Sequence, residues 1–323
     1  MKTAICTLYE GHYHYGVAAL SNSLYKNGFR GSVYVGYRGE LPFWAANAKE
    51  DSGLSWNGAR TLEIGEGLKL HFLPLITDYH FTNYKPDFML ELWDGPAKDA
   101  QSMFYFDPDI VVCAPWKVFE SWAGSGIALC EDVNSPLHKN HPKRIAWRNY
   151  FSQYSIALTY KESAYVNGGF VGLEKEEIGF LHMWKQIQEA MAVRIGGLNR
   201  SALTNSKALS EEDKSDFAPF SKTDQDALNA TVEAWSKDAS IMGQEAMAFK
   251  SGARMMSHAL GIPKPWDNNI ILSTLKGYSP SVTLKDYWKC VNGPIYLHSK
   301  RKMRFKVFEI QICAFIGRFY RRR

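Results

Sequence analysis

The chain has 323 residues, enough for one large domain or two modest ones, and its 46% hydrophobic and 14% aromatic content supports a real core. Of the formal charge of +5, residues 300–323 alone supply nine Lys/Arg and one Glu, a net +8, which leaves −3 for the rest. That balance excludes a basic nucleic-acid-binding body, and no window approaches the roughly 18–20 apolar residues of a membrane-spanning helix.

Residues 2–8 follow Met1 as a first strand, too short and too polar afterwards for a signal peptide. A helix is expected over Tyr15–Lys26, with Val17, Leu20 and Leu24 on one face and Asn27-Gly28 as its stop. Strands follow at 32–37 and 68–75, and Pro86 opens a helix over Asp87–Trp93. Ser102–Phe106 is an apolar, aromatic strand, and Gly126–Cys130 another that ends in Glu131-Asp132. A strand over Val166–Leu173 contains Asn167-Gly168-Gly169, and helices are expected over 180–193 and 225–235. Residues 196–222, small and polar, read as a mobile excursion or lid. Strands alternating with helices indicate an α/β sheet covered on both faces, with ligands at the carboxyl ends of the strands. The ends of the first strand, the Asp107 strand and the Asp132 strand then share one cleft. Cys6, Cys113, Cys130, Cys290 and Cys313 are odd in number and contain no Cys-x-x-Cys. They read as buried free thiols in a reducing, cytoplasmic compartment.

Four segments carry chemistry. Asp107-Pro108-Asp109 ends the aromatic strand. An i, i+2 pair on extended chain points both carboxylates to one face, where they suit Mn²⁺ or Mg²⁺ and, through it, a diphosphate. The paired glycines of Tyr165-Val-Asn167-Gly168-Gly169-Phe170 mark a close approach of backbone or ligand, or a bulge. Thr223-Asp224-Gln225-Asp226 opens a helix, where Asp224 reads equally as a cap. His258-Ala-Leu-Gly261-Ile-Pro-Lys264-Pro-Trp266 offers an imidazole and a cation.

In this order the four segments resemble the retaining glycosyltransferases of family 8. The resemblance covers roughly residues 1–270, and its most specific part is His-x-x-Gly-x-x-Lys-Pro-Trp, matched at every fixed position. It implies a GT-A type nucleotide-sugar-binding mixed sheet flanked by helices. It also implies Mn²⁺ or Mg²⁺ as cofactor and transfer of glucose or galactose from a UDP-sugar to a saccharide or glycolipid. Asp107, Asp109 and His258 would ligate the metal, with His298 as the competing histidine. Lys264 would contact the diphosphate, Tyr13 would stack on uracil, and Thr7 would lie near the nucleotide. Lys85 would contact donor sugar or phosphate, with Gly169 and Gly261 where backbone and ligand approach. Asn167, Asp132 and Asp224 would surround donor sugar and acceptor, and Gln225 would lie near the reactive carbon. The family's acidic residue directly after strand one is missing from Thr7-Leu8-Tyr9-Glu10, where Glu10 is the substitute.

Two alternatives belong to other classes. A sugar nucleotidyltransferase needs a Gly-rich phosphate loop with a basic residue after strand one, which Cys6–Tyr13 lacks. A non-catalytic sugar-binding scaffold has no need of the intact acidic pair, His258 and Lys264. Residues 1–300 are expected to form the catalytic domain and 301–323 a basic amphipathic tail. Phe305, Phe308, Ile312, Phe315, Ile316 and Phe319 recur there at helical spacing between Lys/Arg. That tail either docks on the core or lies on an anionic membrane surface, peripheral to its inner face.

Overall fold

The computed structural model describes residues 2–202 and 207–319. Thirteen strands occur among them. They are β1 (Thr3–Glu10), β2 (Gly31–Arg38), β3 (Lys49–Glu50), β4 (Arg60–Glu63), β5 (Leu68–Pro74), β6 (Ser102–Phe106), β7 (Ile110–Val112), β8 (Ile127–Cys130), β9 (Phe170–Glu174), β10 (Arg200–Ser201), β11 (Lys207–Ala208), β12 (Ala239–Met242) and β13 (Met256–His258). The helices are α1 (His14–Lys26), α2 (Lys85–Asp94), α3 (Trp116–Ala123), α4 (Pro142–Ser152), α5 (Gly179–Ile195), α6 (Thr223–Ala234), α7 (Ile270–Leu275), α8 (Val282–Trp288) and α9 (Lys300–Phe319).

Nine strands make one mixed sheet in the order β12-β8-β9-β6-β1-β2-β5-β4-β3. β1 runs parallel to β2 and β6, whereas β9 runs antiparallel between β6 and β8. β1, β6 and β8 therefore end on the same edge, as the strand order in the sequence suggested. Side chains of β6 alternate between the two faces, and both are buried. Phe104 and Phe106 join Val17, Leu20, Leu24, Trp116 and Phe119 on one side. Met103 and Tyr105 join Phe88, Leu92, Trp184 and Leu228 on the other. Burial on both faces explains why β6 reads as a continuous apolar run. The expected mixed α/β sheet flanked by helices is present, with a C-terminal helix. All five cysteines are free; four are buried and Cys113 is half-buried.

Two local expectations are corrected. Val166–Leu173 is not one strand: Val166 makes a lone bridge to Glu131, and β9 begins only at Phe170. The Asn167 carboxamide oxygen accepts from the Gly169 N–H at 2.9 Å, which closes a turn ahead of β9. The described part of 196–222 is not a free excursion. Leu209 and Phe220 are buried, and Arg194 holds Asp213 at 2.9 Å. Residues 203–206 of that stretch, and 320–323 of the tail, lie outside the described residues.

Candidate metal and nucleotide-sugar site

Asp107, Pro108 and Asp109 do not continue β6 as extended chain. They form a turn between β6 and β7, closed by the Ile110 N–H donating to the Asp107 carbonyl at 3.1 Å. β7 then pairs antiparallel with β13, placing His258 opposite Ile110. The Ala259 N–H donates to the Asp109 carbonyl at 3.1 Å. A three-residue strand distant in sequence thus seats the imidazole beside both carboxylates. Ligand atoms from Asp107, Asp109 and His258 all lie within 4.8 Å of one another. His258 Nε2 is 3.3 Å from Asp109 and 4.0 Å from Asp107. His298 is not in this group; its ring stacks on Trp288 at 5.4 Å.

Glycines allow this closeness. A side chain at Gly169 would put its Cβ 2.5 Å from His258 Cε1 and 3.0 Å from Asp107 Oδ2. One at Gly16, on α1, would sit 2.1 Å from the Pro108 carbonyl oxygen and 3.1 Å from the Trp266 ring. The helix backbone is therefore pressed against the Asp-Pro-Asp turn itself.

Two lysines complete the charge pattern. Lys85 is fully buried, and its ammonium donates to the Gly168 carbonyl at 2.7 Å and Asp224 at 2.9 Å, with Asp107 at 3.2 Å. Burial favours its neutral form, but the Asp107 and Asp224 carboxylates outweigh that, and its pKa lies above the usual lysine value. Lys264 donates to Asp109 at 2.5 Å and to the Ala259 carbonyl at 2.8 Å. Its pKa is also raised, burial opposing and Asp109 prevailing. Asp109 is pushed upward by burial, yet His258 and Lys264 hold it well below the ordinary carboxylate range. Tyr105, buried beneath the turn, donates its hydroxyl to Asp107 at 2.9 Å. Sequence reasoning missed this residue, because nothing in an aromatic strand marks one ring as the support of a carboxylate.

The remaining expected residues divide by position. Asp132, just past β8, accepts from Asn167 Nδ2 at 2.7 Å and from the Asn134 N–H at 3.0 Å. Gln225 Oε1 accepts from the Gly168 N–H at 3.2 Å. Asp224 is not the α6 cap: Lys222 occupies that position without a side-chain cap bond, and Asp226 accepts from its N–H at 2.8 Å. Asp224 faces Lys85 instead. Asp132, Asn167, Gly168, Gln225, Asp224, Lys85 and Asp107 thus form one connected polar wall. Thr7 is fully buried on β1, with a hydroxyl that has no hydrogen-bond partner. Tyr13 is half-exposed, edge-on to Trp266 at 5.5 Å, with the Lys264 ammonium 5.7 Å from its ring centre. Gly261 adopts φ +71° in the loop carrying Lys264. Glu10 is paired with Arg38 at 3.1 Å, and Arg38 also donates to the Thr77 and Tyr79 carbonyls.

Two carboxylates and an imidazole, all from turns and strand ends at one sheet edge, form a donor set of the kind Mn²⁺ takes. The residues present fit such an ion.

No protein-family model matches the chain, and no curated protein matches it. Solved structures similar to it are glycosyltransferases. One is the bifunctional glycosyltransferase WbbM in its apo form, at 11% identity and TM-score 0.47 over 96% of this chain and 52% of that one. Another is the galactosyltransferase LgtC in complex with donor and acceptor sugar analogs, at 13% and 0.48 over 94% and 99%. A third is the glycosyltransferase GlyE of Streptococcus pneumoniae TIGR4, at 12% and 0.47 over 97% and 64%. The chain spans about half the length of WbbM and just under two thirds of GlyE.

Proposed function

We propose that this protein is a metal-assisted, retaining glycosyltransferase that moves glucose or galactose from a UDP-sugar to a hydroxyl of a saccharide or glycolipid. The observation that carries the reading is one convergence. Asp107, Asp109 and His258 lie within 4.8 Å of one another, with Lys264 on Asp109 and Lys85 on Asp107. Residues 1–300 serve as the catalytic domain, and residues 301–323 as a tail that brings the protein to the inner face of a membrane.

Bound by Asp107, Asp109 and His258, Mn²⁺ (or Mg²⁺) supplies Lewis-acid charge to a departing diphosphate. The chain's own residues do the rest. Lys264 adds a second positive charge for the leaving group. Tyr13 with Trp266 offers an aromatic surface for uracil, and Thr7, buried on β1, lies near the nucleotide. Glu10, the proposed substitute for the family's acidic residue, pairs with Arg38 on the adjacent strand and keeps a solvent-exposed carboxylate. The wall of Asp132, Asn167, Gln225 and Asp224 orients donor sugar and acceptor, and Gly169 and Gly261 keep the backbone close to ligand.

Retention by double displacement needs a nucleophile on the far face of the sugar. Asp224 has the chemistry, but its carboxylate is held by buried Lys85 at 2.9 Å. Attack of the acceptor hydroxyl on the same face, its proton passing to the leaving phosphate, fits these contacts better. A glycosyl–Asp224 adduct in a mass spectrum would overturn that step. A panel of UDP-sugars assayed for Mn²⁺-dependent UDP release tests the function: release from UDP-glucose or UDP-galactose is expected. Silence across the panel would favour the scaffold reading.

A further inference from the structure

The C-terminal helix resolves the choice between docking on the core and facing outward, because its two faces do different things. Ile310 and Cys313 are buried, and Gly317 is pressed so closely on the protein that a Cβ there would lie 1.8 Å from the Ser279 hydroxyl. These three lie on one arc of α9 and dock it against α7 and the residues that follow it. Phe305, Phe308, Ile312, Phe315, Ile316 and Phe319 occupy a second arc about 100° wide, centred about 140° round the helix from the first. All six are 40–78% exposed. No charged residue falls in that second arc between Phe305 and Phe319. The neighbouring α7 adds Ile271, Leu272 and Leu275, each about half exposed or more.

We infer that this outer face is a docking surface for an anionic phospholipid bilayer, on which α9 lies flat while its inner face stays anchored to the domain. Charge selects the occupant. Lys300, Arg301, Lys302, Arg304 and Arg318 are exposed around the aromatic face, and three more arginines follow in sequence. A second copy seated on this face would bring two segments of net +8 together, whereas anionic headgroups neutralise them. Long basic side chains reach headgroups while Phe and Ile enter the acyl boundary. Among the described residues no helix is long and apolar enough to cross a membrane, so the contact is interfacial. This rests on the membrane role proposed for residues 301–323 and gives it a defined surface and lipid charge, without depending on the glycosyl-transfer chemistry.

The test is flotation of the full chain with vesicles of phosphatidylcholine alone and with about one third phosphatidylglycerol. The wild type should bind the anionic vesicles at least about tenfold better than the neutral ones, and Phe308→Ser/Phe315→Ser should lose at least about tenfold of that binding. Both changes are at exposed positions, so the melting temperature and Mn²⁺ binding should stay unchanged. Equal flotation of the double variant, or equal binding to neutral vesicles, would overturn the inference. So would a concentration-dependent dimer, abolished by the double variant, with no vesicle binding.

Discussion

Lys264 and a divalent cation claim the same carboxylate, which makes a prediction of unusual sign. Lys264 donates to Asp109 at 2.5 Å, and its side chain is only 12% exposed. Two unit charges about 4 Å apart interact by about 4 kcal/mol at an effective dielectric constant near 20. Relaxation and water reduce this, so releasing Asp109 from Lys264 should favour a cation by about 1–3 kcal/mol, or roughly 5- to 150-fold. Lys264→Gln should therefore bind Mn²⁺ alone more tightly than the wild type. The same change removes the positive charge proposed to face the diphosphate, so UDP should bind the Mn²⁺-loaded variant more weakly. Because Lys264 is tied to Asp109 without the ion and would be released toward the diphosphate with it, the loss falls on the Mn²⁺-loaded form, and by reciprocity the gain in Mn²⁺ affinity on adding UDP should shrink by the same factor. Titration of free Mn²⁺ by electron paramagnetic resonance, with and without UDP, reads both quantities. Unchanged or weaker binding of Mn²⁺ alone by a well-folded Lys264→Gln protein would refute the reasoning.

Three further outcomes are expected. Gly16→Ala should destabilise by about 1–3 kcal/mol and weaken Mn²⁺ binding, because its Cβ meets the Pro108 carbonyl; helix propensity alone would give a gain of about 1 kcal/mol. A raised melting temperature would count against the packing argument. Lys143→Met leaves Asp226 buried without the ammonium now 2.9 Å away, and should cost about 3–5 kcal/mol by denaturant unfolding. His71 is buried between Thr61 and Ser32, and burial lowers its pKa to about 4. The unfolded chain therefore takes up a proton first as pH falls. Stability from the neutral ring is complete above pH ~6.5 and is lost progressively down to pH ~4, by up to about 3 kcal/mol. His71→Gln should flatten that slope; an identical pH profile would exclude His71 as its source.

What was legible in the sequence was what depends on local pattern. β6 showed itself because both its faces are buried, and α1 because Val17, Leu20 and Leu24 share a stripe. α3 and α4 were passed over, although Pro115 and Pro142 mark their starts. β13 is three residues long, too short for any periodicity, yet its pairing with β7 is what brings His258 to Asp109. Asp224 looked like a helix cap because its partner, Lys85, is 139 residues away. The Asn167 turn read as strand because its hydrogen bond comes from a side chain, not from a ladder. In α9 the docking residues and the exposed aromatic residues interleave in sequence, so only the packed structure separates the two faces.

Asp107 and Asp109 are proposed to hold a metal against a UDP leaving group. The most direct measurement compares UDP release from UDP-glucose and UDP-galactose by the wild type and by Asp109→Ala, with and without Mn²⁺, both proteins first checked for equal secondary structure. Mn²⁺-dependent release by the wild type is expected, with a loss of at least about a hundredfold in the variant. Release by Asp109→Ala at the wild-type rate would contradict it.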